Sequence, residues 1–155
     1  MSKTIAMALL VVGVIILSIF GWQHQKAKQL PLAGNWSSGC LVDGNKSKEF
    51  IMAFGKDTYR SHAKLYDNQQ CQGDTVSEYH GSAYAEVADA HLKTCDGSDA
   101  MLLTLYWDNN AQPKPLVLQH LPNNTLMTGY PQDKTPEGSS GWCIDKSTVY
   151  TPVAQ

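Results

Sequence analysis

Five histidines, His24, His62, His80, His91 and His120, are the side chains best suited to hold a metal or move a proton near neutral pH. None belongs to an H-x-x-x-H or H-x-H group, so a zinc site would have to be assembled from distant strands, and spacing alone points to no metal centre. The carboxylates Glu78, Glu86, Asp89, Asp96 and Asp99 would have to meet in space before two of them could act as acid and base. Ser139 and Ser140, in EGSSGW, lack the G-x-S-x-G frame of an exposed nucleophile and read as a loop. Asp43, Asn45, Ser47 and Glu49 alternate as calcium-loop ligands do. The glycine of such a loop follows the fifth position, whereas Gly44 comes second, so a polar turn is expected. Sequons at Asn35, Asn45 and Asn123 occur at the level chance gives in a chain with this many Asn and Ser residues. The chain therefore reads as non-enzymatic, without a cofactor or a metal.

The cysteines carry a clearer signal. Cys40, Cys71, Cys95 and Cys143 show neither a C-x-x-C pair nor zinc spacing with histidine, and all lie downstream of an apolar segment. Four cysteines behind an export-type segment read as two disulfides, which places the folded part in an oxidising compartment.

That segment, residues 5–22 (IAMALLVVGVIILSIFGW), is uncharged over eighteen positions, close to the roughly 20 residues that a helix needs to cross a hydrocarbon core. Its end, Ser18 to Trp22, offers a poor peptidase site, because Ile19 would take a position that wants a small residue. A single retained transmembrane helix is expected, with Trp22 at the interface; secretion after cleavage is the alternative. Lys3 on one side and Lys26 and Lys28 on the other set no orientation, so the cysteines decide it: the domain faces the periplasm from the inner membrane. Residues 23–31 form a polar tether, and residues 32–155 suffice for one domain. With 12 basic and 14 acidic residues in the chain and no basic patch, nucleic acid is not an expected partner.

Period two dominates the domain. In KEFIMAF, Phe50, Met52 and Phe54 share one face; Gly55-Lys56-Asp57 reverses the chain, and TYRSHAKLY returns as a strand with Arg60, His62, Lys64 and Tyr66 on its solvated side. TVSEYH, AYAEVADAHLKT, AMLLTLYW, PLVLQHL, NTLMTGY and STVY follow, separated by Gly81, Asp96-Gly97, residues 108–115 and Pro122 to Asn124. AYAEVADAHL also suits a helix, although a strand is the preferred reading. Eight or nine short antiparallel strands must dispose of their edges, so the expected fold is mainly β, a small barrel or sandwich behind one N-terminal transmembrane helix.

LAGNWSSGC, with KEFIMAF, TYRSHAKLY and DNQQC after it, resembles the opening of small exported lipocalin-like domains of bacteria: a G-x-W-x-x-x-C stretch, a hairpin and a second Cys after an aromatic-rich strand. Gly34, Trp36 and Cys40 match the first part, Tyr59, Tyr66 and Cys71 the second, and LMTGYPQ with STVY looks like the closing strands. The resemblance covers about the first forty and last thirty residues of the domain, not the middle from Tyr84 to Trp107. It implies that Gly34 permits the turn into the first strand and that the Trp36 indole closes the barrel floor, its N–H on a backbone carbonyl. It also points to a Cys40–Cys71 pair, as does the chain reversal between them, which can bring two α-carbons within the roughly 4.4–6.8 Å of a bridge. Cys95 then pairs with Cys143.

Two functions fit these features. The first is a membrane-anchored accessory domain, a subunit of a membrane complex or an envelope protein, docking a protein partner through Arg60, His62, Lys64 and Tyr66. The second is a carrier of a small apolar ligand. In either case residues 5–22 contact membrane lipid, and N-terminal sequencing of the mature protein with protease protection is expected to find that segment retained. A mature chain starting near Trp22 contradicts the anchor.

Overall fold

Alternating inward and outward side chains make each segment from Lys46 onward half-buried, and such segments satisfy their backbone groups by pairing side by side. The computed structural model describes residues 30, 32–109, 112–132 and 141–154. The expected membrane helix at residues 5–22 and most of the tether lie outside them. Among the described residues, no helix is long and apolar enough to cross a membrane.

The described residues form ten strands: β1 (Gly34–Ser37), β2 (Leu41–Asp43), β3 (Lys46–Phe54), β4 (Thr58–Tyr66), β5 (Ser77–Lys93), β6 (Asp99–Trp107), β7 (Lys114–Leu121), β8 (Thr125–Pro131), β9 (Trp142–Ile144) and β10 (Thr151–Val153). The fold is mainly antiparallel β, with the order β10-β1-β3-β4-β5-β6-β7-β8-β9 and β2 paired to β3. From β3 to β8 every neighbour in the sheet is also the neighbour in sequence. At the end of the chain, Tyr150 exchanges two backbone hydrogen bonds with Leu126 of β8, at 2.8 and 2.9 Å, immediately before β10 begins on β1.

The β3–β4 hairpin forms where the alternation places it, with Phe54 opposite Tyr59 and Phe50 opposite Ala63. AYAEVADAHLKT is extended, not helical. It joins TVSEYH in the single seventeen-residue strand β5, so Gly81 does not turn the chain as expected. A Cβ at Gly81 would lie 2.5 Å from the Trp107 ring and 2.8 Å from Ser61 Oγ. Glycine is there to let an indole cross the strand, a packing role that its sequence context does not disclose. Of STVY, only Tyr150 pairs; the final strand lies just beyond it.

Two apolar cores occupy opposite faces of the sheet. The inner one gathers Trp36, Met52, Phe54, Tyr59, Leu103, Leu105, Leu118 and Leu126, with Phe50 partly buried against them. Trp36 Nε1 donates to the Leu32 carbonyl at 3.1 Å, and Gly34 enters β1 at φ +131°, a conformation that favours glycine. Leu30, expected in the tether, belongs to this core; its amide bonds the Lys56 carbonyl. The outer core joins Leu92, Ala100, Val117, Met127 and Ile144.

Two disulfides tie distant segments together. Cys40–Cys71 links the end of β1 to the loop after β4, and Cys95–Cys143 links the end of β5 to β9, with Cα separations of 5.6 and 5.0 Å. Both bridges are those argued from strand positions. The second restricts a span of 48 residues, for which loop-closure entropy contributes about 4 kcal/mol. We expect Cys95→Ala with Cys143→Ala to lower urea-unfolding stability by up to that amount and to expose β9 to protease first. Initial cleavage inside β3–β4 would contradict this order of loosening.

Candidate functional site

Strand alternation sorts the functional side chains by face. On β4, Tyr59, Ser61 and Ala63 turn inward opposite Met52 and Phe50 of β3, while Arg60, His62 and Lys64 turn outward.

The inner residues line a cavity of about 620 Å³. Phe50, Met52, Tyr59, Trp107, Leu116 and Tyr150 form its aromatic and apolar part, while Ser61, Thr128, His62, His80, Asn109 and Lys114 make the rest of the lining polar. Tyr79, 61% exposed, stands where the wall meets solvent. Trp107 packs edge-on against Tyr59 at 5.8 Å, over the gap left by Gly81. Its Nε1–H is buried and has no hydrogen-bond partner among the described residues. A buried donor without a partner costs free energy, so this indole N–H is an unmet polar group beside the cavity. Burial pushes the Tyr59 hydroxyl up to about 12, with Tyr150 adding to the rise and a hydrogen bond to Ser61 opposing it. Burial first, then Asp145, also raises Tyr150. Both phenols stay protonated across the neutral range and can donate.

The outer face carries the surface expected to dock a partner. Arg60, His62 and Lys64 are on it, but Tyr66 is 6% exposed and belongs to the buried set. The reason is the first disulfide. Ser47, opposite Tyr66, accepts a hydrogen bond from the Cys71 amide at 3.1 Å, so the bridged loop lies against this end of the outer face. A shallow groove bordered by Ile51, Ala53, Arg60, His62, His80 and Ser82 is what remains open.

Beside that groove the register does what linear spacing does not. His62 of β4 sits opposite His80 of β5, their rings stacked at 4.0 Å, and Glu78 projects from the same face two residues before His80. Glu78 Oε2 lies 3.0 Å from His62 Nε2 and 3.5 Å from His80 Nε2. The Thr75 hydroxyl, which donates to Oε1 at 2.9 Å, and next His62 hold the Glu78 carboxyl below its ordinary range. This is the only such group of three potential metal ligands among the described residues. The pairing of TYRSHAKLY with SEYHGS, had it been assigned residue by residue, would have revealed it. The remaining carboxylates of interest do not pair with one another: Asp96 bonds Thr94, Ser98 and Lys146 in the turn beside Cys95, and Asp99 meets Lys93.

Comparison of the chain with protein-family models, with curated proteins and with solved structures finds no match.

The raised Tyr59 value fixes a pH dependence. The unfolded phenol ionises near 10 and the folded one near 12, so the stability it contributes is complete below about pH 10 and is lost as pH rises toward 12. We expect wild-type stability to fall steeply across that window and Tyr59→Phe to flatten the fall, measured by urea unfolding at stepped pH. Equal slopes for both proteins would contradict it.

Proposed function

We propose that the domain is a non-enzymatic binding domain that takes a small molecule with an apolar body and a hydrogen-bond acceptor into its inner cavity, and that residues 5–22 hold it at the periplasmic face of the inner membrane. The observation that carries the reading is the aromatic cavity with one buried, unpartnered indole donor in its wall. Its volume falls within the roughly 300–1,000 Å³ usual for small-molecule sites, and a few polar groups set in an apolar lining are how such sites orient a ligand. The lipocalin-like reading of LAGNWSSGC is supported by Trp36 in the inner core with its N–H on a backbone carbonyl, and by the sequential strand order. The bridge from Tyr150 to Leu126 favours closure of the sheet into a barrel around the cavity. Docking of a protein partner is the weaker reading, because its large aromatic contact, Tyr66, is buried.

The test is titration of the full chain with a fluorescent naphthalene carboxylate. Saturable binding is expected at one site, and Ala63→Phe, which puts a ring into the cavity, should weaken it at least about tenfold, or about 1.4 kcal/mol. Trp107→Phe should weaken it less and remove any shift of the indole N–H resonance. No saturable binding by the wild type, or undiminished binding by Ala63→Phe with its fold intact, would overturn the proposal.

A further inference from the structure

We propose that His62, His80 and Glu78 form a binding site for a divalent transition-metal cation of the zinc or copper class on the outer face of β4–β5. The donors project from the face of β4 and β5 opposite to that of Ser61 and Ala63; His62 and His80 also border the cavity, but the donor geometry does not depend on the ligand proposed there.

The donors are already gathered. The two imidazole nitrogens and the carboxylate oxygen all lie within 4.8 Å of one another. Ligands about 2.0–2.1 Å from a tetrahedral zinc ion stand about 3.3 Å apart, and the distances from Glu78 Oε2 to the two Nε2 atoms, 3.0 and 3.5 Å, bracket that spacing. A cation placed among the three atoms would replace the proton that His62 shares with Oε2, and the stacked rings would tilt to aim their lone pairs at it.

The backbone supports this geometry. His62 and His80 are direct register partners on adjacent strands, and Glu78 follows from the period of two, so the three positions are fixed by a ladder of hydrogen bonds rather than by a loop. Thr75 Oγ1 donates to Glu78 Oε1 and leaves Oε2 turned to both rings, an outer-shell contact of the kind that orients ligating carboxylates. Exposure suits a site loaded from solution: the His80 side chain is 67% exposed and that of Glu78 39%. Two imidazoles select zinc, copper or nickel over calcium or magnesium, which prefer all-oxygen shells. Lys64, opposite Glu78 on the same face, works against any cation, so affinity must come from the nitrogen lone pairs rather than from net charge.

The experiment uses the full chain, stripped with chelator and titrated with Zn²⁺ alone against a chromophoric competitor. One equivalent should bind. His62→Gln and His80→Gln should each weaken it at least about tenfold, the smaller end of what even outer-shell changes produce, and His91→Gln should leave it unchanged. Because the His80 side chain is exposed, thermal unfolding of metal-free His80→Gln should match the wild type. Cu²⁺ bound to the wild type should show coupling to two imidazole nitrogens in its electron paramagnetic resonance spectrum, a readout that requires no variant. Failure of the wild type to bind, binding by the two histidine variants within twofold of wild type, or a Cu²⁺ spectrum without two-nitrogen coupling would each overturn the site.

Discussion

The pair of backbone hydrogen bonds between Leu126 and Tyr150 is the contact on which the arrangement depends. A sheet of sequential antiparallel strands has two free edges, each a row of unsatisfied donors and acceptors open to another chain. Here the C-terminal segment contacts strands near both edges: Tyr150 bonds β8, and the three residues after it pair with β1. Leu126 is fully buried and Tyr150 nearly so, and both belong to the inner core. Tyr150 also lines the cavity, so the residue bonded to β8 is part of the proposed binding wall.

The remaining devices protect that arrangement. The inner core holds β1, β3 and β8 together through Trp36, Met52 and Leu126, while the outer core and Cys95–Cys143 hold β9 and the end of β5 against β6–β8. In β5, register shifts between Val87 and Asp89 and between Asp89 and Leu92 bend one long strand so that its first half borders the cavity and its second half meets the outer core. A domain of this size buries a limited apolar area, and two bridges offset part of its unfolding entropy. The turn at Asp96, bonded to Thr94, Ser98 and Lys146, fixes the chain immediately beside Cys95.

What could be read from the sequence follows from range. Local alternation was enough to define the β3–β4 hairpin, its Gly55 to Asp57 turn and the inward Phe50, Met52 and Phe54, because a period of two is written in neighbouring residues. Cysteine positions relative to those strands were enough for both bridges. Features set by contacts between distant segments were not legible. Gly81 looks like a turn until Trp107 is laid across it, and Tyr66 looks solvated until the Cys71 loop reaches Ser47. The His62–His80 pair is invisible at a separation of eighteen residues without the register that makes them opposite. The cavity has the same origin, since its wall draws on six strands and Tyr150.

Closure by the C-terminal segment is the claim that supports the cavity, and amide hydrogen exchange at Leu126 and Tyr150 measures it directly. If the segment joins β8 to β1, both amides exchange as slowly as those at the centre of β3–β4, through global unfolding. Exchange of Leu126 and Tyr150 at the rate of a frayed terminus, with β3–β4 still protected, would contradict closure and with it the proposed binding wall.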